Sequence, residues 1–245
     1  MSTAGVAEVQ RWVRAARRIV VLSGAGMSQE SGVPTFRDAQ TGLWAHHRPE
    51  DLATEDAFRA APSMVWDWYA MRRAKVAEVE PNAGHRAVAA FQRRHPGRLT
   101  VVTQNVDDLH QRSGSPGVLP LHGSLFADRW LDPPRACCQA QPPQPGHPPR
   151  CAGCGNLRRP GVVWFGEALP PDVLAAAQAA ATACELMLVV GTSGLVYPAA
   201  GLPGEVSAGA RVAVVNPQPS ALDDPAQAVL RGTAAALLPA LLAAD

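Results

Sequence analysis

The sequence lacks an excess of charge of either sign. Its 22 Lys and Arg residues nearly balance its 21 Asp and Glu residues, which leaves a formal net charge of +1. This balance argues against a sequence-reading nucleic-acid binder and against an acidic interaction tail. Charged residues make up 18% of the chain and hydrophobic residues 47%, so the composition is that of a globular protein and excludes a disordered one.

Long apolar runs are also missing. No stretch approaches the length that a membrane-spanning helix needs, and residues 1–18 hold no continuous apolar core of signal-peptide length. The longest apolar run, 234–244, is interrupted by Pro239 and predicts a closing helix. We therefore expect a cytoplasmic protein that does not engage a membrane. Cysteine is sparse, and five cysteines in a cytosolic chain indicate metal binding or packing before disulfides.

Four short apolar runs, each followed by small or polar residues, organise the chain. They lie at 18–22, 99–103, 186–190 and 211–215. Continuous apolar runs predict strands that are buried on both faces of a parallel sheet. Helical stretches at 84–95 and 171–184 fall between these runs, so the chain is predicted to form a doubly wound, mostly parallel, Rossmann-like α/β sheet. Ligands bind such sheets beyond the carboxyl ends of the strands, where the polar clusters should converge.

Two segments interrupt the alternation of strands and helices. Residues 38–81 read as helical and hold three of the six tryptophans, and residues 125–160 hold four of the five cysteines among many prolines. We interpret both as insertions that form a smaller lobe. The prediction is one catalytic domain, 1–245, of the size that suits one domain with an inserted module. Its large lobe would comprise about 1–37, 82–124 and 161–245, and its small lobe about 38–81 and 125–160.

The turn Gly24-Ala25-Gly26 directly follows the first predicted strand. Glycine in such a turn lets backbone N–H groups approach a pyrophosphate. A full dinucleotide fingerprint needs a third glycine at position 29, where this chain has Gln29, so the turn alone fits an unliganded βα turn equally well. Its continuation through residues 27–37, MSQESGVPTFR, resembles the NAD signature of the sirtuin family.

The resemblance to sirtuins recurs in order from residue 24 to about residue 233. The further motifs are Thr103-Gln104-Asn105-Val106-Asp107, Leu121-His122-Gly123, Val163-Trp164-Phe165-Gly166-Glu167, Gly191-Thr192-Ser193 and Asn216. The resemblance implies NAD-dependent removal of acyl groups from protein lysines, giving nicotinamide and O-acyl-ADP-ribose. Mono-ADP-ribosylation of proteins and a non-catalytic NAD-binding module are the alternatives that share an NAD site. The joint presence of His122, Asn105 and Asp107 argues against the non-catalytic module.

The roles of individual residues also follow from the resemblance. The residues expected to bind NAD are Gly24, Ala25, Gly26, Ser28, Glu30, Thr35, Phe36, Arg37, Gln104, Asn105, Asp107, Gly191, Thr192, Ser193, Asn216, Gln218 and Ala234. The residues expected to pair with the extended acyl-lysine peptide by strand addition are Val163, Phe165, Gly166 and Glu167, and Val196 is expected to bind the substrate as well. His122 would be the catalytic base, because imidazole can activate a ribose hydroxyl near neutral pH, and Asn105 would also act in catalysis.

The helix predicted at 62–80 carries an arginine, Arg72, within its apolar stripe. Tyr69 and Arg72 are three residues apart and therefore share one helix face. One interpretation is an arginine whose stem packs while its charge reaches water. The Tyr-x-x-Arg spacing, however, resembles the pair found in sirtuins that remove acidic acyl groups. It implies succinyl- and malonyl-lysine as substrates, with acetyl-lysine as well, because a guanidinium and a phenol can bind the acyl carboxylate.

Cys151-Ala152-Gly153-Cys154 is a suitable half of a tetrahedral zinc site. The other half departs from the family pattern, because Trp130 stands where a cysteine is expected and Cys137 and Cys138 are adjacent. Adjacent cysteines reach one metal only with awkward backbone geometry. Three possibilities stay open: both adjacent cysteines as ligands, three cysteines with His147, or no zinc at all. A bound Zn²⁺ would be structural.

Overall fold

The computed structural model describes residues 5–33 and 52–243. The chain forms two compact units. The larger unit comprises residues 1–35, 79–121 and 169–245, and the smaller unit comprises residues 36–78 and 122–168. Within the described ranges, every helix is too short or too polar to cross a membrane.

Eight strands are present in the described part of the chain. In chain order they are β1 (Ile19–Ser23), β2 (Leu99–Thr103), β3 (Leu119–Pro120), β4 (Gly123–Trp130), β5 (Arg158–Val162), β6 (Leu186–Val190), β7 (Arg211–Val215) and β8 (Ala228–Leu230). Six of them form a parallel sheet in the larger unit, in the order β3-β2-β1-β6-β7-β8. This confirms the predicted doubly wound parallel sheet.

The first strand begins and ends one residue later than the sequence predicts. Ser23, a polar residue, is its last member and is fully buried. Its Oγ donates to Thr103 Oγ1 at 2.9 Å, so the hydroxyl is satisfied inside the sheet. The apolar run therefore stops one residue before the strand does. The other three predicted strands occupy the residues expected.

Eight α-helices accompany these strands in the described ranges. They are α1 (Val6–Ala15), α2 (Glu55–Ala60), α3 (Pro62–Glu78), α4 (Ala83–Arg94), α5 (Leu109–Arg112), α6 (Ala136–Ala140), α7 (Pro171–Ala183) and α8 (Ala234–Leu242). The start of α4 is set by the Asn82 side chain, which accepts hydrogen bonds from the N–H groups of Gly84 and His85. The apolar faces of α1, α4 and α8 join the sheet in one core.

The smaller unit is built on a two-stranded antiparallel sheet and on α2 and α3. β4 pairs with β5 from Gly123 opposite Val162 to Trp130 opposite Arg158. Arg73 connects α3 to β4, because its guanidinium donates to the Leu125 carbonyl and pairs with Asp128.

Candidate functional site

The turns that follow β1, β2 and β6 in the larger unit are joined by backbone hydrogen bonds. Gly24 N–H donates to the Val190 carbonyl at 2.9 Å, and Gly26 N–H donates to the Gly191 carbonyl at 2.8 Å. Gln104 N–H donates to the Ser23 carbonyl at 2.9 Å. Turns that are far apart in the sequence therefore lie side by side at one edge of the sheet.

Two glycines make this close approach possible. A Cβ on Gly24 would lie 2.7 Å from Thr192 Cβ, and a Cβ on Gly26 would lie 2.7 Å from Gly191 Cα. Gly191 itself has φ of +61°, which side-chain-bearing residues rarely adopt. The glycine pattern of the turn is thus required by the close packing of the turns.

Thr192 connects the ends of three strands. Gln104 Nε2, after β2, donates to Thr192 Oγ1 at 3.1 Å, and Asn216 Nδ2, after β7, donates to the Thr192 carbonyl at 3.0 Å. Three of the residues predicted to bind NAD are therefore held in one hydrogen-bonded group at the carboxyl edge of the sheet.

A buried polar group lies behind this edge. Asn105 and Asp107 are each 8% exposed, and Asn105 Nδ2 donates to Ser28 Oγ at 3.1 Å. Asp107 Oδ1 accepts from Leu109 N–H at 3.1 Å, and burial raises the pKa of the Asp107 carboxyl. Both buried groups therefore have hydrogen-bond partners within the larger unit, which fix their positions.

Two buried histidines beside this group were not predicted from the sequence as site residues. His85 Nε2 lies 3.5 Å from Ser28 Oγ, and His110 Nε2 lies 3.0 Å from Ser23 Oγ. The ring centroids of the two histidines are 4.8 Å apart. Burial lowers the pKa of His85 to about 2 and that of His110 to about 4, so both rings are neutral at pH 7. The sequence offers one signal for each histidine: His85 closely follows Asn82, and His110 closely follows Asp107 and Asp108.

The remaining predicted NAD-binding residues lie at the start of α8, after β6 and β7, or outside the described residues. Glu30 Oε2 accepts from Ala235 N–H at 3.0 Å, which places Glu30 beside Ala234 at the start of α8. Ser193 and Gln218 follow β6 and β7, and their carbonyls accept from Ala221 and Arg231. Thr35, Phe36 and Arg37 lie outside the described residues. Val196, expected to contact the peptide, is 37% exposed.

In the smaller unit, His122 directly precedes β4. Its carbonyl accepts from Val163 N–H at 2.9 Å. Phe165 N–H donates to the Ala53 carbonyl at 2.9 Å, and the Phe165 side chain is 46% exposed. Gly166 has φ of +85°, so the chain turns sharply there. Two of the N–H groups expected at a peptide-binding strand are therefore already paired within the unit.

Glu167 points its carboxylate into its own unit. It accepts from Arg159 Nη1 at 2.5 Å, from Arg129 Nη2 at 2.7 Å and from Trp164 N–H at 2.7 Å. Burial acts to raise the pKa of Glu167, but these donors hold it below its usual value. The carboxylate is thus committed to fixing the turn at 163–167.

Tyr69 and Arg72 lie one turn apart on α3. Tyr69 is 4% exposed, and its Oη accepts from Trp164 Nε1 at 3.0 Å. Burial raises the pKa of Tyr69 to about 12, although the Arg72 charge acts to lower it. The phenol is therefore protonated at neutral pH. The Arg72 guanidinium lies 4.9 Å from the centroid of the Trp68 ring.

Four cysteines form one cluster in the smaller unit. The Sγ atoms of Cys137, Cys138, Cys151 and Cys154 all lie within 4.8 Å of one another. Tetrahedral Zn–S bonds of about 2.3 Å put ligand sulfurs roughly 3.8 Å apart, which this cluster fits. Gly153 makes room for it, because a Cβ there would lie 2.8 Å from Cys137 Cβ.

The cluster distinguishes the zinc alternatives. Both adjacent cysteines reach it because they lie in the short helix α6, where the chain turns tightly. His147 is paired with Asp67, at 3.5 Å between Nδ1 and Oδ1, and lies outside the cluster. The geometry therefore favours four thiolate ligands over three cysteines with a histidine.

A family model and curated relatives both show similarity to one protein family. A model of the Sir2 family matches residues 24–198. The chain is 58% identical to a protein named NAD-dependent protein deacylase from Ralstonia nicotianae, over 98% of this chain and 97% of that protein. It is 53% identical to NAD-dependent protein deacylase 1 of Pseudomonas aeruginosa, over 93% of this chain and 94% of that protein.

Solved structures show the same likeness. A crystal structure of a Sir2 homolog–NAD complex superposes with a TM-score of 0.87 and is 41% identical, covering 99% of this chain and 94% of that chain. A structure of Sir2Tm bound to a propionylated peptide superposes with a TM-score of 0.81 and is 27% identical, covering 96% of each chain.

Proposed function

The chain belongs to the Sir2 family, and we propose that it removes succinyl and malonyl groups, and acetyl groups as well, from protein lysines. Its general activity is NAD-dependent protein deacylation, the activity for which its relatives are named. The choice of acidic acyl groups is the part that needs an argument of its own.

The observation that carries this choice is the placement of Tyr69 and Arg72. Both lie on one face of α3, and Tyr69 is buried in its protonated form. A carboxylate entering an apolar pocket is costly to bury unless charged and neutral donors bind it. A guanidinium and a phenol on one helix face offer both kinds of donor. An acetyl group has no carboxylate for this pair to bind.

We assign NAD binding to the larger unit and acyl recognition to the smaller one. In this assignment the backbone of the turn at 24–26 binds the pyrophosphate, and Asn105 and Asp107 contact the nicotinamide and its ribose. Asn216 binds the adenosine half. The packed glycine turn and the buried amide and carboxylate support the assignment, because both present polar groups where a dinucleotide binds such a sheet.

The proposed chemistry is the one that the resemblance to sirtuins implies. The acyl oxygen attacks the anomeric carbon of the co-substrate, and the bond to nicotinamide breaks. His122 takes the proton of a ribose hydroxyl, which attacks the acyl carbon, and water completes the release of lysine. The products are the free lysine, nicotinamide and O-acyl-ADP-ribose.

The four-cysteine cluster would hold Zn²⁺ as a structural ion. The neighbouring thiols and burial raise the pKa of Cys137, and burial raises that of Cys138. Burial acts to raise the pKa of the Cys151 thiol as well, but backbone N–H groups of Cys154 and Gly153 and the neighbouring thiols bring it to about 7. A thiol with a lowered pKa is readily deprotonated for metal binding. The ion would order the loops around α6 and take no part in the reaction.

The test is a comparison of acyl peptides. The purified protein is incubated with NAD and with matched acetyl-, succinyl- and malonyl-lysine peptides, and kcat/KM is measured for each. Values for the acidic peptides equal to or above that for acetyl support the proposal, and activity confined to acetyl contradicts it. NAD labelled in the ADP-ribose half tests the alternative of protein ADP-ribosylation, because that reaction leaves the label on protein.

A further inference from the structure

Trp164 makes a specific contact with one of the two proposed acyl-binding residues. Its indole Nε1–H donates to Tyr69 Oη at 3.0 Å, and the two residues are 95 positions apart in the chain. A phenol oxygen that accepts a hydrogen bond keeps its own hydrogen for a different acceptor. The indole therefore determines which way the Tyr69 hydroxyl can donate.

The indole is held from several sides. The Arg159 guanidinium lies 3.2 Å from the centroid of the Trp164 ring and is paired with Glu167. The Trp164 backbone N–H donates to that same carboxylate. The ring of Phe58 packs against Trp164 with centroids 5.3 Å apart. Trp164 is 2% exposed, so its donor direction is fixed by packing as well as by charge.

Tyr69 is held equally closely on its other side. Its ring contacts the ring of Trp68, with centroids 4.6 Å apart at an angle of 72°. Burial raises the pKa of Tyr69 to about 12, so the hydroxyl keeps its hydrogen throughout the neutral range. The phenol is therefore protonated at neutral pH, and its ring position and the group that donates to its oxygen are both set.

We propose that Trp164 is a specificity-determining positioning residue, whose indole N–H orients the Tyr69 hydroxyl to donate to the carboxylate of an acidic acyl group. The inference rests on the proposed removal of acidic acyl groups. Trp164 acts through Tyr69 and does not itself touch the acyl chain. An acyl group without a carboxylate gains nothing from this arrangement.

Replacing Trp164 with phenylalanine tests the inference, because Phe keeps an aromatic ring and removes the N–H donor. A neutral hydrogen bond is worth about three- to tenfold in an equilibrium constant. We expect the ratio of kcat/KM for succinyl to that for acetyl peptide to fall by about this factor. KM for the succinyl peptide should rise while kcat stays unchanged, because Tyr69 contacts the acyl carboxylate equally in the bound substrate and in the transition state.

A double-mutant cycle separates orientation from packing. In a Tyr69→Phe background the hydroxyl is absent, so W164F should cause no further fall in the ratio. Phe58→Leu is the packing control, because Phe58 contacts the Trp164 ring and leaves the indole donor in place. It should change both activities in parallel. A W164F variant that preserves the ratio, or lowers it equally without the Tyr69 hydroxyl, overturns the inference.

A measurement on the wild-type protein covers the case in which W164F does not fold. The indole N–H signals of ¹⁵N-labelled tryptophan are recorded by NMR with succinyl and with acetyl peptide. The Trp164 signal is identified by sequence-specific resonance assignment, because Tyr69→Phe would also displace the signal of the neighbouring Trp68. The Trp164 signal should shift with the succinyl peptide only. Equal shifts with both peptides overturn the inference.

The two proposals fail in different ways. If Arg72→Met and Tyr69→Phe lower the succinyl-to-acetyl ratio and W164F does not, acidic acyl recognition stands and the role of Trp164 is wrong. If none of the three changes the ratio, the proposed acyl preference is itself wrong, and the inference falls with it.

Discussion

Asn105 Nδ2 donates a hydrogen bond to Ser28 Oγ across 3.1 Å, which joins the end of β2 to the turn that follows β1. The two residues are 77 positions apart in the chain, and both are buried. The orientation of the Asn105 amide is therefore set before any ligand binds. An amide held in this way can position a ligand group with little loss of conformational freedom.

Replacing Asn105 with alanine is expected to slow both deacylation and nicotinamide exchange. It removes a buried donor and leaves Ser28 without this partner, so a loss of about ten- to a hundredfold is expected. Exchange is measured with labelled nicotinamide in the presence of acyl peptide. Asn156→Ala is the matched control, because Asn156 lies in the smaller unit and bonds to Asp132 and Cys138. Unchanged exchange in the Asn105 variant would contradict its placement near nicotinamide.

Replacing His122 with alanine should abolish deacylation and preserve most of the affinity for NAD. A base that acts after both substrates are bound contributes to the rate and not to binding. Turnover is measured by release of lysine peptide, and NAD binding by calorimetry. His147→Gln serves as the control, since His147 is a histidine of the same unit that is paired with Asp67. Near-normal turnover without the His122 imidazole would remove it from the mechanism.

The stability of the larger unit should fall as the pH is lowered below about 6.5. Burial lowers the pKa of His85 to about 2 and that of His110 to about 4. Between pH 4 and 6.5 the unfolded chain therefore binds more protons than the folded one, so acid favours unfolding. Each histidine contributes up to about 1.4 kcal/mol per pH unit in this window. Above about pH 6.5 the histidines are neutral in the unfolded chain as well, so this loss of stability no longer occurs.

This pH dependence is checked by urea denaturation at pH 7.5 and pH 5.5. Asp107 acts in the opposite sense, because its raised pKa favours the folded state at lower pH. A His85→Gln variant retains Asp107 and lacks one of the two histidines, so it should lose less stability between the two pH values than the wild type. Equal losses would show that His85 does not titrate as its burial requires.

The sheet could be predicted from the sequence because its central strands are covered on both faces. β6 appears as an unbroken apolar run and β2 as an apolar run that includes two threonines, and the structure has both at the predicted residues. β8 was missed because it spans only three residues, too few to give a clear pattern. α1 was predictable from the sequence as well, because its buried residues Val9, Trp12 and Val13 recur at the helical period.

The partners of the site residues could not be predicted from the sequence. His85 meets Ser28 because α4 packs beside the first turn, and the two residues are 57 positions apart. Trp164 meets Tyr69 across 95 positions because of the way α3 packs against the turn at 163–167 within the smaller unit. Local patterns indicate which residues bear chemistry, and tertiary packing determines which atoms they face.

Removing the metal from the four-cysteine cluster should lower stability more than it changes the reaction. Structural Zn²⁺ contributes directly to folding. Cys151→Ser should lower the midpoint of thermal unfolding, and metal analysis should find one zinc per chain in the wild type. Cys184→Ser is the control, because Cys184 is buried in the larger unit, far along the chain from the cluster. Active protein that contains no zinc would refute the assignment.

Replacing Arg72 with methionine should separate the two classes of substrate. Hydrogen bonds to charged groups contribute about 1.5–3 kcal/mol, so removal of succinyl groups should slow by about ten- to a hundredfold in kcat/KM. Acetyl-lysine offers no carboxylate, so its removal should fall far less. Arg73→Met is the matched control on the same helix, because Arg73 bonds to the Leu125 carbonyl and pairs with Asp128. Losing Arg73 loosens the attachment of α3 to β4, so it should lower both activities by a similar factor. If Arg72→Met behaves as Arg73→Met does, Arg72 maintains the fold of the smaller unit and does not bind the acyl group.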